Sequence, residues 1–126
     1  MSFSQRVLVA ASVAGALAVV LGAFGAHALR ALLDERALAV WHTAVDYQFW
    51  HALALLAAGV LAMHRTSRAL RVAAVAFVAG IVLFCASLYA LALGAPRAIG
   101  AVTPLGGVAL IVGWLTLALH AWRERG

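Results

Sequence analysis

At 126 residues, 67% of them hydrophobic and 10% charged, with a mean hydropathy of +1.07, the chain is too apolar for a water-soluble domain. Soluble domains run near about 45–50% apolar and about 25% charged, and a chain this short buries only part of its surface on folding. The net charge of +5 comes from nine arginines without a lysine. These arginines fall between and beyond the apolar runs rather than in a basic cluster with interleaved aromatics, which points to lipid headgroups and topology and away from nucleic acid.

Alternation with period 2 is absent, and the apolar runs exceed the roughly 9–11 residues of a barrel strand, so the chain reads as helical. The first run, Val7 to Leu29, is about 23 residues long, enough to cross a ~30 Å hydrocarbon layer. Arg6 before it and Ala26-His27-Ala28 near its end imitate a signal peptide. The run is longer than the roughly 7–15 residues of a signal core, and a retained first helix is expected.

Asp34 offers an N-cap for a second helix, with Glu35 in its first turn where negative charge suits the helix dipole. Nothing breaks that helix until about His64. Some 30 residues at about 1.5 Å each reach ~45 Å, more than the hydrocarbon requires. The stretch from Glu35 to about Ala44 is therefore expected to project above the bilayer or to lie along its surface after a bend. The spanning part is then 45–63.

A short basic turn around Arg65, Arg68 and Arg71 precedes a third span, 72–93, closed by Gly94, Ala95 and Pro96. Pro104 near a first helical position opens the fourth span, 104–122. The reading is an all-α integral membrane protein of one domain, residues 1–126, built as a bundle of four transmembrane helices. Four spans put Arg6, Arg65, Arg68, Arg71, Arg123 and Arg125 on one face and Arg30, Arg36 and Arg97 on the other. Six against three places both termini in the cytoplasm by the positive-inside rule.

In lipid, helices associate where small residues let backbones approach, and a stride of four and three marks a left-handed seam. Ala11, Gly15, Ala18, Gly22 and Gly25 form such a seam on the first helix. Ala44, Gln48, His51, Leu55, Ala58 and Ala62 form one on the second. The third has Ala73, Ala76, Gly80, Leu83, Ser87, Ala90 and Gly94, and the fourth Gly106, Leu110, Gly113 and Leu117. Tight packing alone explains these stripes.

The polar side chains gather in Trp41 to His51, WHTAVDYQFWH. Gln48 and His51 share the seam and should face the bundle, with Tyr47 beside them and Ser87 as a candidate partner. His42 and Asp46, four residues apart with Thr43 next to them, point along a separate face and are placed to pair. His27 points away from the glycine seam of the first helix. With His27 at the outer end of the first helix and Ser87 in the outer half of the third, the polar inventory lies on the side opposite most arginines, as the outer mouth of the bundle. Trp41 and Trp50 fit an aromatic belt.

Gly22-Ala23-Phe24-Gly25-Ala26-His27-Ala28-Leu29, then Trp41-x-Thr43-Ala44-x-x-Tyr47-Gln48-x-x-His51-Ala52-Leu53, resemble the transmembrane protein 256 / YgdD family, defined by a domain of unknown function numbered 423. Ser87-Leu88-Tyr89-x-Leu91, Thr103-Pro104-Leu105-Gly106-Gly107 and Gly113-Trp114 follow its later motifs in the same order. The resemblance spans essentially the whole chain. It implies a small four-span bacterial inner-membrane protein with relatives reaching mitochondria-bearing organisms, and it implies no established activity.

Function must then be weighed from chemistry. A haem or metal site from His51 with His27 or His42 lacks an HxxxH or HExxH pair, and His42 and His51 do not share one helix face. A catalytic base at His51 or His42 lacks a nucleophile with motif context, so no enzyme is expected. A transporter or proton relay would place ionisable groups along the whole path, and the inner half is poor in them. Lone Cys85 in an apolar run is read as a small core residue. No cofactor is called for. Two readings remain: an accessory or structural membrane component acting through helix contacts with a membrane-protein partner or its own copies, and binding of a lipid, quinone or other amphipathic molecule at the polar cluster.

Overall fold

The computed structural model describes residues 1–124; Arg125, counted above with the arginine-rich face, lies outside the described residues. Among the described residues, four helices are long and apolar enough to cross a membrane. Helix α1 is Phe3–His27, α2 is Glu35–His64, α3 is the continuous Arg68–Ala92, and α4 is Val102–Arg123. This is an all-α bundle of transmembrane helices joined along small-residue seams.

Each start has a local cause. Ser2 and Gln5 form a reciprocal capping box at α1, with the Gln5 amide N–H donating to Ser2 Oγ and the Ser2 amide N–H donating to Gln5 Oε1. Asp34 caps α2 as its sequence suggests, accepting from the Ala37 amide at 2.8 Å. Ser67 caps α3 through the Leu70 amide at 3.1 Å. After α3 the chain turns at Gly94, whose φ of +98° only glycine adopts without strain. A short 3-10 turn over Arg97–Ala101 leads into α4, so Pro104 falls in its first turn, where the missing N–H costs no helical bond.

The central helix is α2. In its most apolar window 44% of residues are buried, against 17% in α1 and in α4. Helix α1 packs along α2, α3 also packs against α2, and α4 packs along α3. The seam of α2 is buried from end to end: Ala44, Gln48, His51, Leu55, Ala58 and Ala62 all lie inside, and the same stride extends back to Trp41. On α1, Ala11, Ala18 and Gly25 are buried; on α4, Gly106, Leu110 and Gly113 are.

Three sequence expectations change. First, the start of α2 does not bend away: α2 is unbroken, and Trp41 and Ala44 are buried. The indole of Trp41 fills the space left by Gly25, where a Cβ would lie 2.5 Å from the ring. Trp41 is therefore a core residue, 3% exposed, whereas Trp50 is 53% exposed and faces outward. Second, the small-residue seam of α3 does not run straight through. Ile81–Cys85 forms a π-helical turn, which carries an extra residue and shifts the helix phase. Leu83, expected inside, turns out, and Cys85 turns in. Third, Gly94 closes α3 as the Gly94-Ala95-Pro96 stop suggests, but it lies exposed in the turn and is not part of the packed seam.

The π turn meets α4 at Gly106, where the two backbones approach closely. A methyl on Gly106 would run into the backbone nitrogen of Phe84 and stand 2.7 Å from its Cα. Two turns on, Gly113 accommodates the ring of Phe77, 2.6 Å from a Cβ placed there. Backbone cannot give way as a side-chain tip can, so Gly106 differs from Gly107, whose added Cβ would meet only the Phe84 ring at 3.9 Å. Gly106→Ala should destabilise the bundle by about 1–3 kcal/mol, the usual cost of overpacking. Gly107→Ala should leave it within experimental error, as read from unfolding by SDS titration in mixed micelles.

Candidate functional site

In hydrocarbon a polar side chain must find a partner inside the protein, because no water is available to satisfy it. Helix α2 carries two such side chains on its buried seam, and the structure supplies both. Gln48 Nε2 donates to the Ala14 carbonyl of α1 at 2.8 Å, and Tyr89 Oη of α3 donates to Gln48 Oε1 at 2.7 Å. One amide therefore ties three helices. His51 receives the indole N–H of Trp114 from α4 on Nε2 at 3.1 Å. An indole nitrogen only donates, so Nε2 accepts and the ring proton sits on Nδ1, which donates to the Tyr47 carbonyl at 2.6 Å. His51 is thereby a neutral, single tautomer with both nitrogens engaged.

Aromatic rings surround these bonds. Trp41 lies 4.6 Å from the Tyr89 ring and donates its indole N–H to the Leu21 carbonyl at 2.9 Å. Tyr47 packs on Phe84 at 4.7 Å and stacks against His51 at 5.8 Å. Trp114 meets Phe77 edge-on at 5.4 Å. No buried side-chain nitrogen or oxygen among the described residues is left without a partner.

The position of the cluster differs from the expected outer mouth. Gln48 pairs with Ala14, midway along α1, and His51 pairs with Trp114, midway along α4. Trp41, about 10 Å further along α2 at the helical rise, and Tyr89, three residues before the end of α3, lie toward one end of the bundle.

Of the residues singled out from sequence, Gln48 and His51 face the bundle as expected, with Tyr47 half-buried beside them. Ser87 is buried but does not reach α2. Its hydroxyl donates to the Phe84 carbonyl at 2.8 Å and lies 2.6 Å from the Thr103 hydroxyl, bridging α3 to the start of α4. The added residue of the π turn rotates it toward α4. His42, Thr43 and Asp46 are exposed on a separate face. Thr43 bonds only to the Ala39 carbonyl of its own helix, and His42 and Asp46 form no hydrogen bond or ion pair with each other. Exposed carboxylate and imidazole gain little from pairing against the entropy of holding two side chains still. His27 is exposed, as its off-seam angle requires.

Sequence reasoning missed Trp114, the role of Tyr89, and a second buried histidine. Ser67 Oγ lies 2.6 Å from His120 Nδ1 and ties the start of α3 to the end of α4. The seam of α4, continued one step of three past Leu117, reaches His120, so the pattern contained that signal.

One wall of the bundle stays open. Beside the Gln48 bridge, α1 and α3 part to leave a groove of about 510 Å³ over α2. Its lining is aliphatic except for Gln48, Cys85 and Tyr89. Among the described residues, no three His, Cys, Asp or Glu side chains converge as metal ligands.

Residues 21–107 match the family described as "Protein of unknown function (DUF423)". The chain belongs to this family. It is 46% identical over 107 residues to a UPF0382 membrane protein of Staphylococcus saprophyticus, covering 85% of this chain and 88% of that one. It is 44% identical over 106 residues to one of Bacillus subtilis, covering 83% and 86%. A third, of Haemophilus influenzae, is 36% identical over 121 residues, covering 96% and 97%. No solved structure matches the chain. The matched family region contains Gln48, His51 and Tyr89, while Ala14 and Trp114 lie beyond its ends.

A double-mutant cycle of Gln48→Leu with Tyr89→Phe tests the three-helix bridge. The coupling energy should fall between about 0.6 and 1.7 kcal/mol, the range of interhelical hydrogen bonds inside membranes. The same cycle between Gln48→Leu and Thr43→Val should give none.

Proposed function

We propose that this protein is an accessory, structural component of the bacterial inner membrane that acts through helix–helix contact, with both termini in the cytoplasm. The observation that carries this reading is that the buried polar side chains are all engaged within the bundle. Gln48, His51, Ser87 and His120 bond other helices or their own backbone and hold the helices in register. His51 has no free lone pair for a haem iron, a metal or a travelling proton, and no nucleophile is presented to it, which supports a non-enzymatic role. The arginine distribution, six against three, supports the orientation.

A second reading is favoured by the groove between α1 and α3: binding of a lipid, quinone or other amphipathic molecule beside Gln48 and Tyr89, on the side away from most arginines. A cavity of about 510 Å³ falls in the range of small-molecule sites, apolar with a few convergent polar groups.

Purification from native membranes in a gentle detergent, followed by native mass spectrometry, separates the two. The structural reading expects a defined membrane-protein partner or a homo-oligomer. A monomer carrying a small molecule that is lost in Gln48→Leu with Tyr89→Phe supports the second reading and sinks the first. For orientation, a fluorescent protein fused after Gly126 should fluoresce, and alkaline phosphatase fused there should be inactive; the opposite pair of results overturns the assignment.

A further inference from the structure

The groove does not end at Gln48. A second cavity of about 470 Å³, lined by Phe3, Arg6 and Val75 among others, meets the first at Ala10 and Val78. The two form one furrow between α1 and α3, from the level of Arg6 to that of Leu21, about 22 Å at the helical rise. Its only charged lining residue is Arg6, at the end where α1 and α3 begin. Arg71 of α3 stands at the same mouth, its guanidinium 4.6 Å from the centre of the Phe3 ring. Among the described residues neither arginine has a carboxylate partner, and Arg65 takes Glu124 at 3.1 Å elsewhere.

We propose that this furrow holds an acyl chain of an anionic glycerophospholipid from the leaflet at the arginine-rich end, with its phosphate on Arg6 and Arg71. The inference goes beyond the structural role proposed above and does not depend on it, since that role stands or falls on a protein partner and this one on lipid retention.

Length and charge both fit. One leaflet's chains reach about 15 Å, half of a ~30 Å hydrocarbon layer. From Arg6 to Ala14, where the Gln48 bridge crosses to α1, is about 12 Å of helix. A chain whose headgroup sits at the two arginines therefore ends at the bridge. Two guanidinium groups without carboxylate partners, from different helices, suit a phosphate, whose oxygens accept their forked N–H donors.

A partner's transmembrane helix fits less well. Such a helix is about 10–12 Å across and docks where small residues let backbones meet. The furrow contains no glycine and is edged by branched side chains such as Val13, Val75 and Val82. Gly59, Gly80 and Gly113 are filled within the bundle by Leu8, Leu110 and Phe77, and the loosely covered Gly15 and Gly107 lie outside the furrow.

The test is native mass spectrometry of the full chain, delipidated and then offered equal amounts of phosphatidylglycerol and phosphatidylcholine with identical chains. Retention should favour phosphatidylglycerol. Arg6→Gln and Arg71→Gln should each reduce that preference about fivefold, the equivalent of ~1 kcal/mol per arginine near a membrane surface. Arg6→Lys should keep most of it. Val75→Trp, which fills the furrow and leaves both arginines, should also release the lipid. Equal retention of the two lipids overturns the proposal, as does undiminished retention by Val75→Trp, which would mean adsorption of headgroups at the surface. Circular dichroism checks each fold, and if Arg6→Gln does not fold, Arg71→Gln reads the same contact. A photoreactive side chain at position 78 should form a lipid adduct in native membranes; an adduct to a second copy or another protein overturns it equally.

Discussion

A polar side chain inside hydrocarbon has to be satisfied by protein, and in this bundle that requirement falls on α2. Gln48 and His51 sit on its buried seam, and neither has a full set of partners within its own helix. Their bonds run outward to α1, α3 and α4, so the helix richest in polar groups becomes the one the others assemble around. Lipid offers no hydrophobic drive for association, and these directed bonds determine which helix faces meet and at what depth.

Small residues then decide how closely the helices stand. On one side Gly25 admits the Trp41 indole, and Gly59 admits the side chain of Leu8, so α1 lies along α2 for most of its length. On the other side the π turn of α3 presents backbone to Gly106, and Gly113 receives the ring of Phe77. Phe77 in turn supports Trp114, whose indole reaches His51. The aromatic residues thus carry contact from the α3–α4 pair back to the central helix.

The same arrangement explains the open wall. Helices α1 and α3 flank α2, and the Gln48 amide links them through its Tyr89 and Ala14 bonds, but the gap beside it stays lined with aliphatic side chains. In water such a furrow would collapse or aggregate; in a bilayer it is compatible with the solvent. A protein whose polar atoms are bonded inward, and whose lateral surface is grooved and apolar, meets its surroundings through packing and through arginines at its rims.

Much of this was legible in the sequence. Composition and run length dictate four membrane helices because only a helix satisfies its backbone within one apolar segment. The four-three stride on α2 marks Gln48 and His51 as one buried face, and carried one step further on α4 it marks His120, whereas Trp41 reads as a belt residue and is buried only by its fit against Gly25. The partners were not legible, because a stride says which way a side chain points and not what stands opposite. Tyr89, Trp114 and the Ala14 carbonyl are brought to Gln48 and His51 by helix rotation and depth. The π turn at Ile81–Cys85 left no trace in a sequence of ordinary aliphatic residues, yet it turned Ser87 toward Thr103 and away from α2. The stretch from Trp41 to His51 was recognisable as the polar centre of the chain from local periodicity alone. Its depth in the bundle, its partners and the furrow beside it were decided by tertiary structure, since each depends on where one helix stands against another.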